Sequence, residues 1–167
     1  MQDSKIIQDL KKICKTSSYK EDKELIKKHS ADWRGRFSKN ALGVAFPTST
    51  KEVSKIIKYS NKKNIKVIPQ GGNTGLVGGT SPTQNKKEII INFEKMNKII
   101  DIDKKNRCIE AEAGTIIDNI ISAIDKEDYL FPLKMSSTGS SQVGGAIATN
   151  AGGINVVKHG SIRQNIL

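Results

Sequence analysis

The sequence predicts an α+β fold, and three observations carry that prediction. Apolar residues recur at helical spacing within residues 5–14, 47–64 and 116–124. Short β-type runs lie between them, notably residues 65–68, 88–92, 99–103 and 107–113. Two stretches dense in glycine follow such segments, at residues 71–79 and 139–153. The order helix, strand, loop, strands, helix, loop, with no repeat period, belongs to this class.

Each element has a local reason. Ile6, Ile7, Leu10 and Ile13 share one face of an N-terminal helix. In PTSTKEVSKIIKYSNKKN, residues 47–64, Ser49 is placed to cap and Glu52 completes an S-x-x-E box. Val53, Ile56 and Ile57 supply the buried stripe, and Lys62 and Lys63 sit where the helix dipole favours cations. Residues 65–68, IKVI, form a strand that runs into Pro69 and the first glycine stretch. The run Glu88–Asn92 is continuously apolar inside, which predicts a buried strand. Residues 99–103 and 107–113 read as a strand pair turned by Lys104, Lys105 and Asn106. A helix follows with Thr115 as cap, Asp118 in its first turn, and Ile116, Ile117, Ile120, Ile121 and Ile124 facing inward. Residues 143–151, VGGAIATNA, predict a short helix of very small residues.

Composition narrows the function. A chain of 167 residues with 36% hydrophobic content suits one domain or two small subdomains around a modest core. Its apolar runs are too short to span a bilayer, so no transmembrane segment is expected. The N-terminus lacks an uninterrupted apolar core and a small-residue cleavage site, which leads to the expectation of a cytoplasmic protein without a signal peptide. Cys14 and Cys108 are far apart, and His29 and His159 are the only histidines. Neither a disulfide framework nor a metal site is expected from that spacing. The net charge is +11, but the lysines are spread among Asn, Glu and Asp. Aromatic residues make up only 5%, too few for a stacking platform on single strands. DNA or RNA is therefore not expected as a partner, although a basic nucleic-acid binder remains the alternative to test. Asp101, Asp103, Glu110 and Glu112 alternate near strands and read as solvent-facing residues rather than a catalytic pair.

The glycines are the strongest signal. Ten of fourteen lie in the two stretches, at 71, 72, 75, 78 and 79 and at 139, 144, 145, 152 and 153. Neither stretch contains the G-x-G-x-x-G triplet or the P-loop pattern. The physical logic of those loops still applies. Glycine lets the backbone approach a ligand closely, and successive N–H groups form a nest for anionic oxygens. Asn73 and Thr74 add short side-chain donors in the first loop, and Ser140, Thr149 and Asn150 do so near the second. A helix start near Gly144 and Gly145 would add a favourable dipole. Two such loops suit a ligand carrying two phosphates, such as a dinucleotide. Gly35, Gly43 and Gly114 stand alone and read as turns or close-packing positions.

The strings IPQGGNTGLVGGTSP and FPLKMSSTGSSQVGGAIATNAGGINVVKHGSIRQNIL, with the upstream DWRGRF and AFPTSTKEVSKIIKYSNKKNIKVIPQGG, resemble a known family over about residues 30–167. It is the FAD-binding domain of the vanillyl-alcohol oxidase/p-cresol methylhydroxylase (PCMH) superfamily. The most similar branch holds D-2-hydroxyglutarate dehydrogenase, D-lactate dehydrogenase and the flavin subunit of glycolate oxidase. The resemblance implies a PCMH-type α+β fold of two small α/β subdomains with FAD between them, the second truncated. It implies an N-terminal helical extension over residues 1–30 and the FAD-binding domain over 31–167, incomplete at its C-terminus and without the cap domain.

By the same resemblance, the first loop wraps the FAD diphosphate through Pro69, Gly71, Gly72, Asn73, Thr74, Gly75, Leu76 and Gly78. The second contributes Ser140, Gly144, Gly145, Thr149, Asn150 and Gly153, and Pro132, beside Leu133, matches a segment near the flavin. Relatives that attach flavin covalently often use a histidine after the paired glycines; Asn73 stands there, so binding is expected to be non-covalent. His159 reads either as flavin-proximal or as a surface residue before the Gly160 turn. Family enzymes are longer, and their cap domain carries the metal ligands and the base. The implied function is the FAD domain of an oxidoreductase acting on a D-2-hydroxy acid, binding FAD without turnover alone. A separate chain supplying the remaining FAD domain and the cap is the implied partner. The alternative within this reading is a non-catalytic FAD-binding module acting with such a chain.

Overall fold

The computed structural model describes residues 2–14, 18–37, 39–83 and 87–167. The chain divides into two compact units, residues 1–95 and 96–167.

The first unit contains helices α1 (Gln2–Ile13), α2 (Lys23–Ser30) and α3 (Thr50–Lys62), with strands β1 (Tyr19–Lys20), β2 (Val44–Ala45), β3 (Lys66–Gln70) and β4 (Glu88–Asn92). The sheet order is β1-β2-β4-β3, with β1 antiparallel to β2 and the remaining pairs parallel. All five residues of β4 are buried, as expected of a strand with neighbours on both edges and cover on both faces. Ile89 and Ile91 pack with Ile6 and Leu10 of α1 and Ile56 of α3. Ile90 points the other way, to Ile26 of α2, Phe46 and Ile68. The period of two along β4 thus builds two half-cores from one strand.

Helix α3 starts as the sequence predicts, with Ser49 Oγ accepting the Glu52 N–H at 3.3 Å. The return half of the expected box differs: Glu52 accepts from the N–H and hydroxyl of Thr48, at 2.9 and 3.2 Å. Both bonds go to Oε2; Oε1 is buried without a partner, and Glu52 lies in the buried row Glu52, Ile56, Ser60. That row, one residue round the helix from the expected stripe, faces inward, so Ile57 is 44% exposed. The expectation of a buried Ile57 is corrected accordingly. Residues 71–87 link the adjacent parallel strands β3 and β4, a connection that needs about a dozen residues or more.

The second unit has the hairpin β5 (Ile99–Asp103) and β6 (Cys108–Ala111), then α4 (Ile117–Asp125), α5 (Val143–Ala148), α6 (Val156–His159) and a 3-10 turn at Ile162–Asn165. Strand β6 is shorter than the expected 107–113, and the register shifts between Ile99 and Asp101. Asp103 caps the hairpin turn by accepting from the Asn106 N–H and side-chain amide at 3.0 and 2.7 Å. Those bonds lower its carboxyl below the ordinary value. Thr115 is not the cap of α4, a second correction. That place falls to Ile116, without a side-chain bond, while the buried Thr115 hydroxyl donates to the Lys98 carbonyl at 3.2 Å. Ile117 of α4, Leu133, Ala146 and Ile162 form the unit's core.

Candidate functional site

The first glycine loop leaves the carboxyl end of β3, the end of a parallel strand at which open α/β sheets place ligands. Among the described residues, the N–H groups of Gly71, Gly72, Asn73, Gly75, Leu76 and Val77 have no acceptor. Residues 71–74 are half-buried and 75–77 exposed. Side chains close the loop instead. The Asn73 amide donates to the Ala31 carbonyl at 2.8 Å, and its oxygen accepts from the Thr80 hydroxyl at 2.6 Å. Asn73 adopts φ 54°, a left-handed conformation that asparagine tolerates. The side chain thus braces the loop from within.

Two further features shape the loop. Gly78 has φ +75°, and a Cβ there would fall 2.6 Å from the Phe37 ring. Glycine is therefore needed for both backbone and space. Phe37 belongs to the DWRGRF turn, where Asp32 accepts its N–H at 2.9 Å and that of Arg34 at 3.4 Å. The Phe37 bond, with weaker help from neighbouring amides, lowers the Asp32 carboxyl below its ordinary value. Under the loop, the Gln70 side chain is fully buried in contact with His29, Thr80 and Asn92. The sequence signal for it is modest: Gln70 and Asn92 are the polar last residues of β3 and β4, and they sit opposite each other in register.

The second glycine stretch divides by role. A Cβ on Gly144 would lie 2.8 Å from the Ala113 Cβ, and its N–H donates to the Ala113 carbonyl at 2.8 Å. A Cβ on Gly153 would collide with the Lys134 carbonyl oxygen. Both glycines serve close packing. Gly145 differs: no atom lies within 4 Å of a Cβ built there. Gly75 and Gly79 in the first loop are open in the same way. The Thr149 hydroxyl turns back to the Gly145 carbonyl at 2.9 Å, and Asn150 accepts from the Arg163 N–H at 3.3 Å. Arg163 also donates to the carbonyls of Ile147 and Ala148 at 2.8 and 2.6 Å, closing the C-terminal end of α5. Ser140 is exposed, and the Pro132 carbonyl accepts from Asn155 at 3.2 Å. The Gln142 side-chain amide oxygen, Oε1, is buried without a partner in this segment, a polar atom that packing alone does not explain.

Burial, helped by nearby Glu52, pushes the Cys14 thiol up to about 12, so it stays protonated. Asp101 and Glu110 face each other across the hairpin, and Glu112 accepts from the Lys98 N–H at 2.9 Å. His159 is half-buried, and its carbonyl accepts from Asn165 at 3.3 Å. Among the described residues, no cluster of three or more His, Cys, Asp or Glu could hold a metal ion, and no helix is long and apolar enough to cross a membrane.

Comparison with known proteins gives this geometry a context. A family model described as "FAD binding domain" matches residues 41–167. The chain is 36% identical over 165 residues to the mitochondrial D-2-hydroxyglutarate dehydrogenase of Arabidopsis thaliana, covering 99% of this chain and 29% of that protein. The mitochondrial D-2-hydroxyglutarate dehydrogenase of Danio rerio is 35% identical over 146 residues, covering 87% of this chain and 27% of the relative. Among solved structures, an alkyldihydroxyacetonephosphate synthase superposes with a TM-score of 0.87 at 23% identity, over 96% of this chain and 32% of that one. At that identity the likeness is one of fold.

Proposed function

The chain belongs to the FAD binding domain family, and on that premise we propose that its two glycine loops hold FAD for oxidation of a D-2-hydroxy acid. The observation that carries the reading is the row of unpaired N–H donors at Gly71, Gly72, Asn73, Gly75, Leu76 and Val77. A nest of amides suits diphosphate oxygens. The open faces of Gly75, Gly79 and Gly145 leave room for a ligand against the main chain. The orphaned Gln142 oxygen offers an acceptor for a ligand N–H or O–H. These residues fit the cofactor. Pro69, Thr74, Leu76 and Gly78 complete the first cradle; Pro132, Ser140, Thr149 and Asn150 complete the second. Gly144 and Gly153 act by allowing the close approach that shapes it. The same reading divides the chain into a helical extension at 1–30 and an FAD domain at 31–167.

Bound FAD supplies a two-electron acceptor for the hydride of a hydroxyl-bearing carbon. The chain's own part is to bind and orient it, non-covalently, since Asn73 braces the loop where an attachment residue would stand. No general base is assigned to this chain, which spans 29% of the Arabidopsis relative. Turnover then requires residues beyond this segment, supplied by further sequence or by a second chain. Two relatives are named as mitochondrial; a cytoplasmic location for this chain remains our expectation, tested by imaging a tagged copy.

The test is the visible spectrum of the purified protein and its titration with FAD, followed by assay with D-2-hydroxy acids and a dye acceptor. Saturable FAD binding with no turnover until a cap-bearing partner is added supports the reading. No saturable binding by a folded sample removes it, and salt-sensitive binding of nucleic acid would then favour the basic-binder alternative suggested by the charge of +11.

A further inference from the structure

The Gln70 side chain makes more contacts than a strand end needs. Its amide nitrogen donates to the His29 carbonyl at 2.6 Å and to the Thr80 carbonyl at 3.2 Å. Two carbonyl acceptors fix the amide orientation, because only the NH2 end can donate. The oxygen end therefore accepts from the Asn92 amide at 3.2 Å and from His29 Nδ1 at 2.7 Å. It follows that His29 carries its proton on Nδ1, and the ring packs edge-on against Phe46 at 5.4 Å. One buried amide thus ties together the C-terminal end of α2, the end of β4 and both ends of the glycine loop.

We propose that Gln70, with Asn73 as its outer counterpart, is a positioning residue that holds the loop's N–H groups in a rigid, outward-facing row before any cofactor arrives. The Thr80 carbonyl is satisfied by Gln70 and the Ala31 carbonyl by Asn73. Side chains thereby supply the donors that loop amides would otherwise provide, and the main-chain N–H groups are left for an anion. Holding donors in place beforehand lowers the ordering cost of binding. The inference rests on the FAD reading only for the identity of that anion.

The test compares the full 167-residue chain with Gln70→Met and Thr80→Val. Methionine keeps an apolar stem of similar length but removes every polar contact. Valine removes only the hydroxyl that donates to Asn73, at a half-buried position that leaves the core alone. Amide 15N relaxation without cofactor should give rigid order parameters, about 0.85, for residues 71–79 of the wild type, falling below about 0.6 in Gln70→Met and to intermediate values in Thr80→Val. Amides of β3 and β4 should keep their values. FAD dissociation constants should rise about tenfold for Gln70→Met, as expected when buried partners lose a shared bond. A mobile loop in the wild type, or unchanged loop order in a folded variant, overturns the proposal. If Gln70→Met does not fold, Thr80→Val decides. If the wild type fails to bind FAD, the cofactor reading falls while the order parameters still judge the clamp.

Discussion

At the scale of residues, two adjacent glycines separate packing from ligand contact. Gly144→Ala sets a methyl against Ala113 and should destabilise the second unit by about 1–3 kcal/mol. Gly145→Ala meets no atom and sits inside a helix, where alanine is favoured by about 0.5–1 kcal/mol. It should therefore hold or raise the melting temperature while weakening FAD binding. Calorimetry and FAD titration of both variants check this: if Gly145→Ala binds FAD as the wild type does, its open face is not part of the cradle. Asp32 gives a pH prediction. Its carboxyl is lowered in the fold, so its stabilising effect is present above the unfolded value, about 3.9. It is lost as pH falls through the lower folded value. NMR titration of Asp32 should show a midpoint below 3.8, and Asp32→Asn should narrow its stability gap to the wild type only in that acid range. The glycines were legible because so many fall together. Their division into packing and open positions was not, because it depends on Ala113 and Lys134, which lie far away in sequence.

At the scale of elements, sequence signals held where the cause was local. The Ser49 cap of α3 needs only its own first turn. Ser49→Ala should cost about 1 kcal/mol, read as a shift in denaturation midpoint without change in slope. The strands at Glu88–Asn92 and Ile99–Asp103 fall where their residues predict. The misreadings came from tertiary choices. Ile57 fits an apolar stripe, but α3 turns the row of Glu52, Ile56 and Ser60 inward, with Thr48 bonding one oxygen of the Glu52 carboxylate. Thr115 has the right chemistry for a cap, but the Lys98 carbonyl, brought close by the hairpin, takes its hydroxyl. The clamp on the first loop was hidden for the same reason, since His29 and Gln70 meet only after the sheet forms.

At the scale of the whole molecule, the PCMH-type α+β fold expected from the resemblance agrees with the family match and the fold likeness. The N-terminal helix is part of the first unit's core through Ile6 and Leu10. The charge of +11 gives a kinetic prediction: FAD is anionic, so its association should slow as salt rises from about 10 mM to 0.5 M, where screening shortens to a few ångströms. Stopped-flow quenching of flavin fluorescence measures this, and a salt-independent rate would mean that the dispersed lysines do not steer the ligand. The pinned ends of the first loop carry one more consequence. Val77 stands 88% exposed at the tip, the kind of place a protease reaches first. A chain nicked there should not come apart, because Gln70 and the Thr80 carbonyl still join the two stumps beneath the cut. Such a protein would migrate as two pieces on a denaturing gel yet keep its native circular dichroism, having lost the continuity of its cradle and nothing else.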